Sequence, residues 1–157
     1  MSFTIAGLDP QTFAPLFDLS DETLKARGVI RKTATSKPGF PCRITLQDAE
    51  PGESVLLLNY ESHKAQTPYR SAYAIYVREG AHEAARYADE LPPVFMGRPI
   101  ALRIFDAEGS LIGADLVLAN GDVKAKIEAA FSKPETAYIH AHNAAHGCFA
   151  AEIRRAG

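Results

Sequence analysis

The chain has little of several features that define whole classes of protein. Its two cysteines, Cys42 and Cys148, stand far apart among 157 residues, so this is not a disulfide scaffold. No apolar run approaches the length of about 18 residues that a membrane helix needs. Seventeen basic and nineteen acidic residues leave a net charge of −2, without the basic excess of proteins that bind nucleic acid or anionic membranes. We therefore expect neither nucleic acid nor a membrane among its partners.

The first residues also lack the pattern of an export signal, because they contain no basic segment and Asp9 interrupts the apolar residues early. This start predicts a soluble protein of the cytoplasm, where both thiols stay reduced. No repeat, linker or charge block divides the sequence. Its length therefore predicts a single domain over residues 1–157.

Short segments of strand character dominate what is there. Polar and apolar residues alternate over residues 42–46 and again over residues 72–78. Residues 99–105 and 111–118 flank a loop containing Gly109 and predict a hairpin. Further strands are predicted over residues 29–34, 54–60, 136–143 and 148–154.

Helix signals are fewer. Asp9 and Pro10 predict a short helix up to residue 17, and Ser20 begins another that ends at Gly28. One longer helix is predicted over residues 121–131, while residues 81–91 hold helix formers without an apolar stripe. Many strands and few helices predict an α+β fold on a mainly antiparallel sheet, either open or curled into a partial barrel.

The segment from Tyr138 to Cys148 is the richest in chemistry. On a strand, His140 and His142 share a face and could bind one metal ion, with His146 or Cys148 as a third ligand. Imidazole and thiolate ligands favour zinc. Against this interpretation, no carboxylate stands at an obvious ligand spacing, and strand histidines are more often hydrogen-bonding groups than ligands.

A thiol site is the alternative use of the same segment. Cys148 follows Gly147 and has three histidines close upstream, so a neighbouring imidazole such as His142 could activate it as a nucleophile. Cys42 shares its alternation with Ile44 and Leu46, which favours an inert thiol of the core.

The polar segment over residues 59–70 is the second candidate region. Arg70 beside Tyr69 could hold a carboxylate or phosphate through charge-assisted hydrogen bonds. The alternative interpretation is structural, with Tyr69 fixing the loop to the sheet and Arg70 solvated at the surface.

Several of these stretches together resemble the bacterial domain-of-unknown-function 1203 family. The matching stretches are residues 3–8, 38–46, 56–61, 67–70, 138–144 and 147–148. The sequence departs from the expected pattern at Ser62, which separates Glu61 from His63, and at Ala74, where a proline is common. The resemblance implies a bacterial single-domain protein, and it implies no activity, substrate or cofactor.

The leading hypothesis is a cytoplasmic domain that binds a small anionic metabolite or serves as an accessory domain. Its pocket would lie where the last two strands meet the Cys42 strand and the Tyr69–Arg70 loop. The predicted binding residues are Cys42, Tyr69, Arg70, His140, His142 and Asn143, with Cys148 at the pocket floor. The alternatives are a metal- or thiol-dependent enzyme and a structural or homo-oligomeric module, such as a homodimer.

Overall fold

The alternating segments form two antiparallel sheets in the computed structural model, which describes residues 2–156. Its strands are β1 (Phe3–Ala6), β2 (Ile30–Thr33), β3 (Ser54–His63), β4 (Ser71–Arg78), β5 (Arg86–Ala88), β6 (Ile100–Phe105), β7 (Leu111–Val117), β8 (Tyr138–Asn143) and β9 (Phe149–Arg155). Its α-helices are α1 (Asp21–Ala26) and α2 (Val123–Phe131), and single 3₁₀ turns cover Pro10–Thr12, Ala14–Leu16 and Pro93–Phe95.

The two sheets are open. The larger has the strand order β5–β1–β9–β8–β6–β7, and the smaller has the order β2–β3–β4. All the strand pairings are antiparallel, and no closed barrel forms over residues 2–156. The α+β class and the mainly antiparallel sheet predicted from the sequence are thus confirmed.

The larger sheet uses its two faces differently. Ile139 of β8 packs with Phe131 of α2 in the main apolar core. Successive side chains of a strand alternate between faces, so His140 and His142 project from the opposite side. There they meet the smaller sheet, as the ring of Tyr73 on β4 shows at 5.0 Å from that of His142. The interior therefore has one apolar layer beside α2 and a second layer, between the sheets, that is rich in aromatic rings and imidazoles.

A second apolar cluster belongs to the smaller sheet. Leu56 and Ile75 pack there with Phe13 and Leu24 from the N-terminal helical segment. Ser20 begins α1 as predicted, because its hydroxyl accepts a hydrogen bond from the N–H of Thr23. Within residues 2–156, no helix combines the length and the apolar character needed to cross a membrane.

The strand predicted over residues 42–46 is wrong. Only Cys42 makes a bridge, parallel to Tyr76 of β4, and the chain then turns so that the Leu46 N–H donates to the Cys42 carbonyl at 2.9 Å. Leu46 takes a left-handed conformation with φ 55°. Cys42, Ile44 and Leu46 are nevertheless all buried. The alternation in the sequence therefore reflects burial in a turn, which imitates that of a strand.

Three other segments differ from the sequence predictions. Residues 10–17 form two 3₁₀ turns in place of one helix, although Asp9 does accept the Gln11 N–H as an N-cap. Residues 81–91 contain the short strand β5. Because this segment has no apolar stripe to favour a helix, its pairing with β1 determines its structure. The strand β1 was not predicted, and it joins the larger sheet between β5 and β9.

Gly7 lets the two sheets approach each other at the segment that carries Arg43. A Cβ atom at Gly7 would stand 1.9 Å from the carbonyl oxygen of Ile44. Beside it, the N–H of Leu8 donates to the carbonyl of Arg43, and the N–H of Ala85 donates to that of Ile44. The backbone after β1 therefore fixes the position of residues 43 and 44.

We predict that Gly7→Ala lowers the free energy of unfolding by about 3 kcal/mol, because the new methyl group overlaps a backbone oxygen that cannot move alone. Urea unfolding followed by circular dichroism measures the change. Gly113→Ala is the matched control, since its Cβ would make ordinary van der Waals contacts with Ile104, at 3.4 Å from Cδ1 and 3.7 Å from Cβ. Equal stability of the two variants would contradict this account of Gly7.

Candidate functional site

A pocket of about 460 Å³ opens where the smaller sheet meets the hairpin between β8 and β9. We call it the Arg43 pocket. Its lining residues are Gly39, Pro41, Arg43, Leu57, Tyr73, Ala74, Tyr76, Arg98, Asn143, His146 and Cys148. Segments that are remote in the sequence thus meet at one hollow, which is lined by guanidinium, imidazole, amide and thiol groups together with two aromatic rings of β4.

Arg43 is the most constrained polar residue of this pocket. Its N–H donates to the carbonyl of Tyr76, so its backbone continues the smaller sheet beyond β4. Its guanidinium Nε donates to the carbonyl of Phe149 at 2.9 Å, and Nη1 donates to that of Pro41 at 2.7 Å. Nη2 lies 3.1 Å from the Sγ of Cys148. One side chain therefore joins the smaller sheet to β9 and to the thiol.

The charge of Arg43 is buried without a carboxylate. The residue is only 3% exposed, and within residues 2–156 its partners are two carbonyl oxygens and a sulfur. Burial lowers the pKa of Arg43, and the neighbouring Cys148 sulfur opposes that shift. A guanidinium nevertheless stays protonated in proteins. Because buried charges are ordinarily paired, this arrangement leaves a positive charge at the pocket that an anion could balance.

The second guanidinium of the pocket is already neutralised. Arg98 donates to both carboxylate oxygens of Asp48, at 2.6 and 3.0 Å, and to the carbonyl of Val94. Burial opposes the ionisation of Asp48, but hydrogen bonds from Arg98 and from the Gly39 N–H outweigh it and lower the pKa of this carboxyl. The positive charge that remains unbalanced is therefore that of Arg43.

Cys148 lies directly before β9, after the hairpin turn. The Cys148 carbonyl accepts the N–H of Asn143, and the Gly147 N–H donates to the Asn143 carbonyl, so the turn is closed by backbone bonds. Gly147 has φ 77°, a left-handed conformation that favours glycine. Cys148 is partly exposed and lines the pocket, and the Asn143 amide nitrogen lies 3.9 Å from its Sγ.

The imidazole of His142 supports this turn from inside. Its Nδ1 lies 2.9 Å from the carbonyl of Gly147, and since a carbonyl only accepts, Nδ1 carries the proton. Burial lowers the pKa of His142 to about 4, against the hydrogen bond to Gly147, which raises it. His142 is thus a neutral donor at neutral pH and does not line the Arg43 pocket.

His63 and His140 complete the imidazole layer between the sheets. His63 donates from Nδ1 to the Tyr69 carbonyl at 3.0 Å and accepts at Nε2 from the Tyr138 hydroxyl at 2.7 Å. Burial lowers the pKa of His63. His140 Nε2 lies 3.6 Å from a carboxylate oxygen of Glu152. The hydrogen bond from Tyr138 to His63 therefore joins the smaller sheet to β8 of the larger one, whereas His140 faces Glu152 across β8 and β9 within the larger sheet.

The structure separates the residues that the sequence groups into one pocket. Asn143 and Cys148 line the Arg43 pocket, whereas His140 and His142 lie in the layer between the sheets. Arg70 is exposed and pairs with Glu61, outside the pocket.

Two further predicted residues also lie away from the pocket. Tyr69 contributes only its carbonyl to His63. Cys42 is buried, and its Sγ accepts the Arg78 N–H at 3.2 Å. Neither residue lines the Arg43 pocket.

The histidines considered as zinc ligands do not form a ligand set. His146 is exposed at the pocket, while His140 and His142 lie inside. Across residues 2–156, no group of three or more histidine, cysteine or acidic side chains is arranged to hold a metal ion.

Sequence reasoning missed Arg43 and Arg98 as functional candidates. Arg43 lies between the apolar residues Cys42 and Ile44, so the alternation places it among the outward, solvated positions. Arg43 also lies within residues 38–46, one of the stretches that carry the family resemblance, and this was the one available signal of a functional role. No local sequence pattern marks Arg98 as a pocket residue, because its role depends on its ion pair with Asp48, which is fifty residues away.

Comparison with known proteins identifies a family whose function is unknown. The profile of a family described as protein of unknown function (DUF1203) matches residues 39–155, which include every lining residue of the pocket. No curated protein and no solved structure matches the chain significantly.

The buried His142 predicts a loss of stability in acid. Its pKa is about 4 in the folded protein and about 6.5 in the unfolded chain, so below pH 6.5 the unfolded state binds more protons. The stability from the neutral imidazole is complete above about pH 6.5 and is lost as the pH falls to about 4. From this residue alone, we expect a loss of about 2 kcal/mol in unfolding free energy between about pH 7.5 and about pH 5.

Urea unfolding at these two pH values measures the loss. His142→Asn keeps an N–H donor towards Gly147 but cannot titrate, so its stability should change less with pH. His82→Asn, which replaces an exposed histidine, should behave like the wild type. An unchanged pH dependence in His142→Asn would show that other groups cause it.

Proposed function

We propose that this chain, which belongs to the DUF1203 family of proteins of unknown function, binds a small organic anion in the Arg43 pocket. The observation that carries the proposal is the guanidinium of Arg43, buried with two carbonyls and a thiol as its partners. A carboxylate or similar anion in the pocket would balance this charge through charge-assisted hydrogen bonds.

The polar side of the pocket suits the head of such a ligand. Arg43 supplies the charge, and Asn143 and His146 supply hydrogen-bonding groups beside it. Arg98 adds a second guanidinium whose charge Asp48 already balances, so the pocket as a whole favours a single negative charge over several.

The lining residues of β3 and β4 suit an apolar body. Leu57, Tyr73 and Tyr76 face the pocket, and Tyr76 is held by an aromatic contact with Phe40 whose ring centroids are 5.2 Å apart. The volume of about 460 Å³ lies within the usual range of small-molecule sites. The ligand class that fits both the polar and the apolar lining residues is a monocarboxylate with a flat or branched apolar body.

The proposal differs from the sequence hypothesis in the residue that recognises the anion. Arg43 takes the role that the sequence suggested for Arg70, because Arg43 is buried at a pocket whereas Arg70 is solvated and paired with Glu61. A cytoplasmic location, expected from the sequence, agrees with a ligand of this kind and with a reduced thiol beside it.

We predict that benzoate binds the protein and that benzamide, of the same shape but uncharged, binds at least roughly tenfold more weakly. Titration followed by calorimetry or by ligand-observed NMR measures both affinities. Arg43→Gln should abolish the preference for the anion, and Arg70→Ala, which removes an arginine outside the pocket, should bind like the wild type.

A second pair of variants covers the case in which Arg43→Gln does not fold. Ala74 and Ala72 are both exposed and lie on the same face of β4, but only Ala74 lines the pocket. Ala74→Glu should block benzoate, since its own carboxylate reaches the site, whereas Ala72→Glu should not. Equal binding by these two variants, or equal affinity of the wild type for benzoate and benzamide, would overturn the proposal.

A further inference from the structure

We infer that Cys148 is a site of oxidation by hydrogen peroxide, and that the oxygen it gains occupies the Arg43 pocket and closes it to anions. The second half of this inference rests on the proposed function, and the first half does not. The inference depends on the contacts of the Cys148 sulfur, on the unbalanced charge beside it and on its exposure to the pocket.

The two thiols of the chain differ in the surroundings that control their reactivity. Cys148 is partly exposed and lines the Arg43 pocket, and its Sγ lies 3.1 Å from the guanidinium Nη2 of Arg43. Cys42 is 1% exposed and packs in the apolar cluster of the smaller sheet, and within residues 2–156 its Sγ accepts hydrogen bonds from backbone N–H groups, such as that of Arg78. Reactive cysteines lie in accessible, electropositive places, and only Cys148 meets both conditions.

Arg43 presents a charged hydrogen-bond donor to this sulfur. Its guanidinium has no carboxylate partner within the described chain, and two of its three nitrogens are held by the carbonyls of Pro41 and Phe149. These bonds aim the third nitrogen, Nη2, at Sγ. A thiolate at Cys148 gains a charge-assisted hydrogen bond from a donor that is already in place.

The oxidation itself is a two-electron transfer. The thiolate sulfur of Cys148 attacks one oxygen of hydrogen peroxide, the S–O bond forms and the O–O bond breaks with its electron pair on the departing hydroxide. The thiol proton, released to solvent when the thiolate forms, is recovered when hydroxide becomes water. One thiol and one peroxide thus give one sulfenic acid and one water. The sulfur is oxidised and the peroxide is reduced.

Two neighbouring polar groups, Arg43 and the Asn143 amide, stabilise the oxidised side chain of Cys148. Beside the positive charge of Arg43, the sulfenic acid releases its proton to solvent and becomes a sulfenate. The sulfenate oxygen extends into the pocket that the sulfur already lines, within reach of Arg43 and of the Asn143 amide, whose nitrogen is 3.9 Å from Sγ. The oxidised side chain then supplies the negative charge that a ligand would bring. Because the two compete for one guanidinium, oxidation and anion binding exclude each other.

The first test measures oxidation without any ligand. The protein is treated with hydrogen peroxide and then with dimedone, which traps sulfenic acids, and the modified peptide is identified by mass spectrometry. We expect dimedone on Cys148 and none on Cys42. Arg43→Lys, which keeps a charge but cannot hold both carbonyls and the sulfur, should react at least roughly tenfold more slowly, and Arg70→Ala should react like the wild type.

A second variant guards against a fold defect in Arg43→Lys. Ala74→Glu places a carboxylate in the pocket and should also slow the trapping of Cys148, while Ala72→Glu should not. Labelling of Cys42 as fast as Cys148, or equal rates in all these variants, would overturn the oxidation site.

The second test addresses closure of the pocket. Benzoate should protect Cys148 from peroxide, and the oxidised protein should lose benzoate binding and regain it after reduction with dithiothreitol. Selective oxidation of a protein that never binds benzoate would refute the proposed function and leave the oxidation site standing. Benzoate binding that is equal before and after oxidation would refute closure alone.

Discussion

The burial of one uncompensated guanidinium is the constraint on which the rest of the site depends. Arg43 could have been neutralised by a carboxylate, as Arg98 is by Asp48, but it is held by carbonyls of two separate segments. Carbonyl oxygens fix its direction without cancelling its charge. The protein therefore keeps an oriented positive charge at a hollow, which is the property that anion binding and thiol chemistry share.

Much of the fold was accessible from the sequence because the strands depend on local alternation. The hairpin of β6 and β7, the helix α2 and the pair β8 and β9 follow their periodicity, and His140 and His142 do share a face. The strand predicted over residues 42–46 is wrong because their apolar side chains are buried in a turn. A pattern of burial shows which side chains lie inside, and it does not show which backbone puts them there.

The candidate site was accessible only in part, for a different reason. Asn143 and Cys148 lie in a segment whose chemistry is visible locally, and the structure brings both to the pocket. Arg43 and Arg70 are chemically identical in the sequence. Their difference arises from packing between segments more than one hundred residues apart, where Arg43 meets Phe149 and Arg70 meets solvent. No local periodicity carries that information.

The hydrogen bond from His142 to Gly147 has a consequence for the thiol next in the chain. The carbonyl that His142 holds belongs to the peptide group between Gly147 and Cys148. The tautomer of His142, with the proton on Nδ1, therefore fixes the plane of a peptide group at the protein surface. A ring that presented its bare nitrogen to that oxygen would repel it and rotate the plane. The orientation of the Cys148 sulfur therefore depends on the tautomer of His142, which is buried between the two sheets.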